Sequence, residues 1–430
     1  MTDTATPPEA AAAAPLAPER RDRYMPVRKR ALLDAALEDP ALSEADSEGL
    51  AALGRRLALL FHLAFFGPRE RLKDLYVRFN PDQPGTAPVA AAPEERATFL
   101  TALDETLEAA NFAHLSQDDL LPEPDSKGRV RAKVAVPQDV FEEVRFYGRG
   151  RRQRSFELRS WFGLRTEILT AMAWDHVVLV ASLRPEIPKR QMRNSRLRPG
   201  AIYLKLFRDI PQADLETLYP DARVVMRLQD KLVLGVPAIA GGIPILLNIL
   251  PALSVLLVVI GAYLGISGTV EEDQTKQALA ALSGLGALVG FIGRQWIKYE
   301  RQKFKYQKQV AENAYFNNLN NNAAFFDYLI GASEDSEVKE AFLAYFMLVK
   351  AEAPLGRAEL DGRIEDWLKA RFAVDVDFEI DDALAKLDRF GLVAATPDGK
   401  LTAPPLAEAL AAADGAWRQM AEAAFAETPA

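Results

Sequence analysis

Residues 232–270 of this 430-residue chain carry no charged side chain. A second apolar run, residues 277–295, follows and is broken only by Arg294. A helix that crosses roughly 30 Å of hydrocarbon needs about twenty apolar residues, and few soluble domains need so long an uncharged stretch. The pattern therefore predicts two transmembrane helices joined by a short loop holding Glu271, Glu272 and Asp273. Pro244 suits a helix start, and Pro251 is expected to kink the first helix. Gly261 and Gly265 form one GxxxG, and Gly286 and Gly290 form another. Gly261 and Gly286 lie equally far from the loop centre. They are expected at similar depth, where small residues let helices pack closely or let copies of the chain associate. The competing explanation is that glycine is simply frequent in membrane helices.

Charge orients the hairpin. The loop has Lys276 as its one basic residue, whereas Arg294, Lys298, Arg301, Lys303, Lys305 and Lys308 follow the second span. Lys and Arg mark the cytoplasmic side, so both termini are expected there, with a bacterial inner membrane as the expected location. These cations also suit anionic headgroups. The net charge of −8 hides an asymmetry: residues 143–208 hold 15 basic against 5 acidic side chains, and residues 333–430 hold 10 against 20. The two regions should face different partners.

Six segments follow from composition and period. Residues 1–22 are Ala- and Pro-rich, show no secretory signal and are expected to be a disordered tail. Residues 23–128 form a helical N-terminal region, with Leu50, Leu53, Leu57 and Leu60 on one helix face and Phe99, Leu103, Leu107 and Phe112 near another. Residues 129–230 change to period two. Valines alternate over 130–136, and strand-like runs occupy 175–183, 201–207 and 223–228, separated by Pro-, Gly- and Arg-rich loops. This predicts a β-rich basic domain with an antiparallel sheet. Residues 232–296 are the hairpin. Residues 297–332 continue as a juxtamembrane helix, in which the Asn317–Asn322 run reads as a loop or interruption. Residues 333–430 give helices over 338–349, 360–372 and 378–390, then a hairpin turning at Pro397-Asp398-Gly399. That order resembles a winged helix. The whole is an α+β membrane protein: N-terminal helices, a β-rich domain, a two-helix transmembrane hairpin and a winged-helix-like acidic domain.

Little points to catalysis. There is no cysteine, and His62, His114 and His176 are scattered. Disulfides, thiolate chemistry and a zinc site are therefore not expected. No phosphate-loop, nucleophile-elbow or zincin motif is present. Asp209, Asp214 and Glu216 beside Pro211 suit a turn and helix cap better than an acid–base pair. No catalytic, cofactor-binding or metal residue is expected. The arginine-rich stretches contain Arg149, Arg151, Arg152 and Arg154, then Lys189, Arg190 and Arg193. Together with Lys298, Arg301 and Lys303 they are candidates for anionic-lipid contact. Single-stranded nucleic acid and a merely solvated face compete for the same residues. The would-be recognition helix carries Glu379, Asp381, Asp382 and Asp388 against Lys386 and Arg389. This argues for a protein partner and against nucleic acid.

The run Lys205-Leu206-Phe207-Arg208-Asp209-Ile210-Pro211-Gln212-Ala213-Asp214-Leu215-Glu216, then Asp230-Lys231 entering the apolar hairpin, then the Tyr/Asn-rich helix, resembles the uncharacterised family of two-span membrane proteins that includes transmembrane protein 143. The resemblance implies topology and no mechanism. The expected function is a membrane-anchored scaffold or regulator. The alternatives are a membrane enzyme acting on a lipid or phosphorylated substrate, and a transport or channel component.

Overall fold

The computed structural model describes residues 21–83, 93–120, 133–160, 165–188, 197–225, 228–265 and 272–427. Helices α1 (Lys29–Leu37), α2 (Glu44–Tyr76) and α3 (Pro93–Ala109) precede strands β1 (Ala113–His114), β2 (Lys133–Ala135), β3 (Phe141–Ser160), β4 (Arg165–Leu183), β5 (Ile202–Pro211) and β6 (Arg223–Val225). Helices α4 (Leu228–Tyr263) and α5 (Glu272–Asn317) follow, then β7 (Asn318–Asn321) and helices α6 (Ala323–Lys350), α7 (Arg357–Phe372) and α8 (Ile380–Arg389). Strands β8 (Ala394–Ala395) and β9 (Leu401–Thr402) and helix α9 (Leu406–Glu427) complete a mixed α+β chain. Two compact units divide it, and neither is continuous. One comprises residues 1–74, 97–113 and 326–430; the other comprises 75–96 and 114–325.

The first unit joins segments that the sequence suggested were separate domains. Leu50, Leu53, Leu57 and Leu60 of α2 are fully buried, as their spacing predicts. They share a core with Ala341–Phe346 of α6, Leu360, Ile364 and Leu368 of α7, and Leu384 and Leu387 of α8. Burying such side chains contributes on the order of 1.5–3 kcal/mol each, so the N-terminal and C-terminal segments stabilise one another. Residues 21 and 22, read from sequence as tail, are held too: Arg21 lies 2.6 Å from Glu365, and the Asp22 carbonyl accepts from the Asp377 N–H. The rest of the expected tail lies outside the described residues. Helices α7 and α8 and the β8–β9 hairpin fall close to the positions read from sequence, whereas α6 begins at Ala323 and not at 338, and so runs across the expected segment boundary at 332/333.

The second unit is built on an antiparallel sheet of order β1-β3-β4-β5-β7, with β2 and β6 paired separately. Phe146, Val177, Leu179, Ala181, Leu183, Phe207 and Ile210 form its core. The main departure from expectation is β3. The Arg-rich stretch read as loop is a 20-residue strand, paired with β4 from Phe141 opposite Leu183, through a register shift before Glu143, to Ser160 opposite Arg165. Two glycines permit the close strand approach. A Cβ at Gly148 would lie 2.7 Å from Trp174, and one at Gly150, whose φ is +73°, would lie 2.6 Å from Asp175. The asparagine run does interrupt the helix. It then becomes edge strand β7 against β5, with Asn318 and Asn321 exchanging side-chain hydrogen bonds of 2.8 and 3.0 Å.

Within the same unit, α4 and α5 form the expected hairpin. Pro244 does not start α4, which begins at Leu228 and runs through Pro237, Pro244 and Pro251. Each proline removes one helical N–H, a loss that membrane helices tolerate better than exposed soluble ones. Glu272 and Asp273 open α5, where acidic side chains favour the helix N-terminus.

Candidate functional site

Among the described residues, two helices are long and apolar enough to cross a membrane: Glu44–Phe79 and Thr275–Lys305. The first buries its leucine stripe in the core of its own unit. The second pairs with α4 in the hairpin. There, Val236, Ile239, Ile243, Leu247, Leu250, Leu257, Leu264, Leu279, Leu282, Val289 and Ile292 are each at least half exposed. Apolar exposure on this scale marks a membrane or protein contact.

Within the hairpin, Gly286 and Gly290 do not lie on the face of α5 that meets α4. Ala278 and Ala281 are buried, and Leu285, Leu288 and Phe291 are partly so, which traces the inner stripe of α5. Gly286 and Gly290 are exposed on another side, and a Cβ on either would meet nothing within 4 Å. The three- and four-residue spacing of the alanines and leucines, not GxxxG, follows the facing helix. Gly265 terminates α4 with φ +76° and likewise meets nothing. Gly261 is half-buried. The close glycine contact is elsewhere, at Gly241, where a Cβ would lie 3.0 Å from the Phe291 ring.

The ten candidate lipid contacts separate into groups. Lys189, Arg190 and Arg193 lie outside the described residues. The β3 arginines are largely engaged by other side chains of their own unit, and Arg149 is the one of the four that is buried. Arg149 is 4% exposed and sits opposite His176. Arg152 Nε donates to Asp175 Oδ1 at 2.8 Å, and Arg154 Nη2 donates to the same oxygen at 2.7 Å. Arg154 Nη1 also contacts Asp209 Oδ1. Arg151 is exposed and reaches Gln212 Oε1 at 3.4 Å. Burial first, then Arg149, Arg154, Arg152 and Arg208, pushes His176 down to about 3, so its ring is neutral at physiological pH. The expected turn carboxylates also move. Asp209 belongs to β5, with φ +53°, while Asp214 is fully buried in the 3-10 helix Gln212–Leu218.

On α5 the situation reverses. Arg294, Lys298 and Arg301 are exposed, and Lys303 is half-buried. Among the described residues none of these four, nor Lys305, makes an ion pair. Lys308 meets Glu312 at 3.4 Å. Trp296 is 65% exposed and Tyr299 36%, at the end of the apolar run where aromatic belts form.

A third cluster, unforeseen from sequence, lies in the first unit. Glu337 and Glu340 of α6 and Asp382 of α8 bring their carboxylates within 4.8 Å of one another. Lys386 supplies the cation among them. Its Nζ is 2.8 Å from Glu340 and 2.5 Å from Asp382, and it also contacts Glu337. Asn111 Nδ2 donates to Glu340 Oε1 at 2.9 Å. Burial, reinforced by Glu340 and Asp382 and opposed by Lys386, raises the Glu337 carboxyl to about 7. Burial works against the Lys386 proton, but the three carboxylates outweigh it and raise that group above its ordinary value. Only the Asp382–Lys386 spacing was visible in sequence. The cross-helix pairing depends on how α8 docks. It also turns one of the two basic side chains of the would-be recognition helix inward.

A family model described as "Protein of unknown function (DUF3754)" matches residues 174–324, about a third of the chain. The match runs from β4 through the hairpin to β7. No solved structure matches the chain.

Proposed function

We propose that the α4–α5 hairpin anchors this protein in a membrane, with both termini on the cytoplasmic side, and that the protein works there as a scaffold or regulator. The observation that carries the reading is the apolar surface of the hairpin, with side chains from 45% exposed at Ile260 to 69% at Leu264, ending on α5 in Trp296 and a basic stretch. In water that surface would drive aggregation, whereas in hydrocarbon it needs no cover. The acidic C-terminal segment, read as winged-helix-like, supplies a protein-contact surface. The resemblance to the family that includes transmembrane protein 143 is consistent with this topology.

The absence of cysteine makes the test direct. Asp273→Cys in the hairpin loop and Asp398→Cys in the β8–β9 turn each introduce a single thiol into the full chain. In intact cells, a membrane-impermeant maleimide is expected to label the first and spare the second, and alkaline carbonate is expected to leave the protein in the membrane pellet. Release by carbonate, or equal labelling at both positions, would sink the proposal.

A further inference from the structure

We infer that one face of α5, just beyond the apolar run, is a binding surface for anionic phospholipid headgroups, made by Arg294, Lys298 and Arg301. The inference rests on the membrane reading above. Helix α5 is continuous from Glu272 to Asn317, so its direction and phase carry across the end of the span. Arg294, Lys298, Arg301, Lys305 and Lys308 follow one another at intervals of four, three, four and three residues. At about 100° per residue this confines all five to an arc of about 80°. All five are exposed. Lys303, nine residues from Arg294, falls about 180° away. Glu312 closes the stripe on the same face by pairing with Lys308 at 3.4 Å.

Depth sorts the five. The uncharged run ends at Gly293, so Arg294 marks the edge of the hydrocarbon. At about 1.5 Å per residue, Lys298 lies about 6 Å beyond it, Arg301 about 10 Å, and Lys305 and Lys308 about 16 and 21 Å. The headgroup layer adds only about 5–8 Å on each side of the hydrocarbon, and charge is screened over about 8–10 Å at physiological salt. Arg294 and Lys298 are therefore within the headgroups, Arg301 is a few ångströms past them, Lys305 is about one screening length past them and Lys308 is farther out. The partner must be the bilayer's own anion. The charges begin where the apolar face ends, and the exposed Ile297 and Phe304 edge the stripe.

The probe is phosphatidylglycerol in phosphatidylcholine bilayers. A reporter at the edge of the stripe comes from Ile297→Trp in a Trp296→Phe background of the full chain, with Trp296→Phe alone as the blank. Brominated phosphatidylglycerol should quench that reporter more effectively than brominated phosphatidylcholine. Each cation near an anionic surface is worth about 1 kcal/mol, about fivefold. The triple change Arg294→Gln, Lys298→Gln, Arg301→Gln should erase the preference. Lys305→Gln with Lys308→Gln should change it by no more than about threefold, and Lys303→Gln should leave it intact. An unchanged preference in the triple variant overturns the proposal. So does a loss as large in the Lys305/Lys308 double variant, because that would identify a soluble polyanion or an acidic protein as the partner. Protein that resists carbonate yet shows no lipid preference refutes this inference alone; protein released by carbonate refutes the anchoring reading.

Discussion

The arginines of β3 and the basic stretch of α5 look alike in sequence and behave differently in the fold. On β3, register sets Asp175 and Asp209 beside Arg152 and Arg154, and burial removes Arg149 from the surface. On α5, helical phase sends Arg294, Lys298 and Arg301 outward, and none of them meets an acid among the described residues. The lesson is that a count of basic residues measures charge and not availability. Availability depends on which strand or helix the chain brings alongside.

The sharpest way to break this contrast is Asp175→Ala. Removing the buried partner leaves Arg154 only Asp209 and returns half-exposed Arg152 to solvent, and the full chain in detergent should lose about 1–3 kcal/mol of unfolding free energy. Arg294→Gln with Lys298→Gln should cost within about 0.5 kcal/mol. Denaturant titration measures both. Equal losses would erase the distinction between internal and surface-facing cations.

Acid should separate the regions next. His176 is held down to about 3 in the folded protein, against an ordinary value of 6.5. The unfolded chain therefore binds more protons between those values, and the stability of the sheet falls as pH drops from 6.5 toward 3. Glu337 works the other way. Raised from 4.5 to about 7, it makes the first unit lose stability as pH rises through that window, on the order of 3 kcal/mol. Unfolding followed at Trp174 for the sheet and at Trp367 for the first unit should show opposite slopes between pH 5 and 7. Glu337→Gln should flatten the second slope only.

Salt gives a smaller effect. Raising ionic strength from about 0.1 to 1 M shortens the screening length from about 10 to 3 Å. The phosphatidylglycerol preference at α5 should fall several-fold, while the contribution of the Arg154–Asp175 pair, measured by a double-mutant cycle at each salt concentration, should scarcely move. The smallest expected effects are those of Arg151→Gln and Lys303→Gln on stability, each within about 0.5 kcal/mol in the same titration. A large loss from Arg151→Gln would mean that its 3.4 Å contact with Gln212 matters more than its exposure suggests.

Much of the architecture was legible in the residues because local physics dictates it. The four α2 leucines share a face at any helix of period 3.6. The run 232–270 admits no charge, and Pro397-Asp398-Gly399 turns a chain wherever it stands. Strand β3 was not legible, because alternation in an Arg-rich segment is meaningful only once Asp175 and Asp209 lie across from it. The second glycine motif does not mark the hairpin contact, for a related reason. Spacing marks a face of α5 but cannot say which face meets α4, and the structure turns Ala278 and Ala281 inward.

Residue order alone indicated the α2 stripe, the apolar hairpin and the sign of charge on either side of it, since these are properties of neighbours along the chain. Tertiary structure decided that the N- and C-terminal segments share one core, that Lys386 is held among three carboxylates, and which basic residues remain on the surface. Each of those depends on side chains far apart in sequence, and only the packing of whole elements brings them within ion-pairing or van der Waals distance.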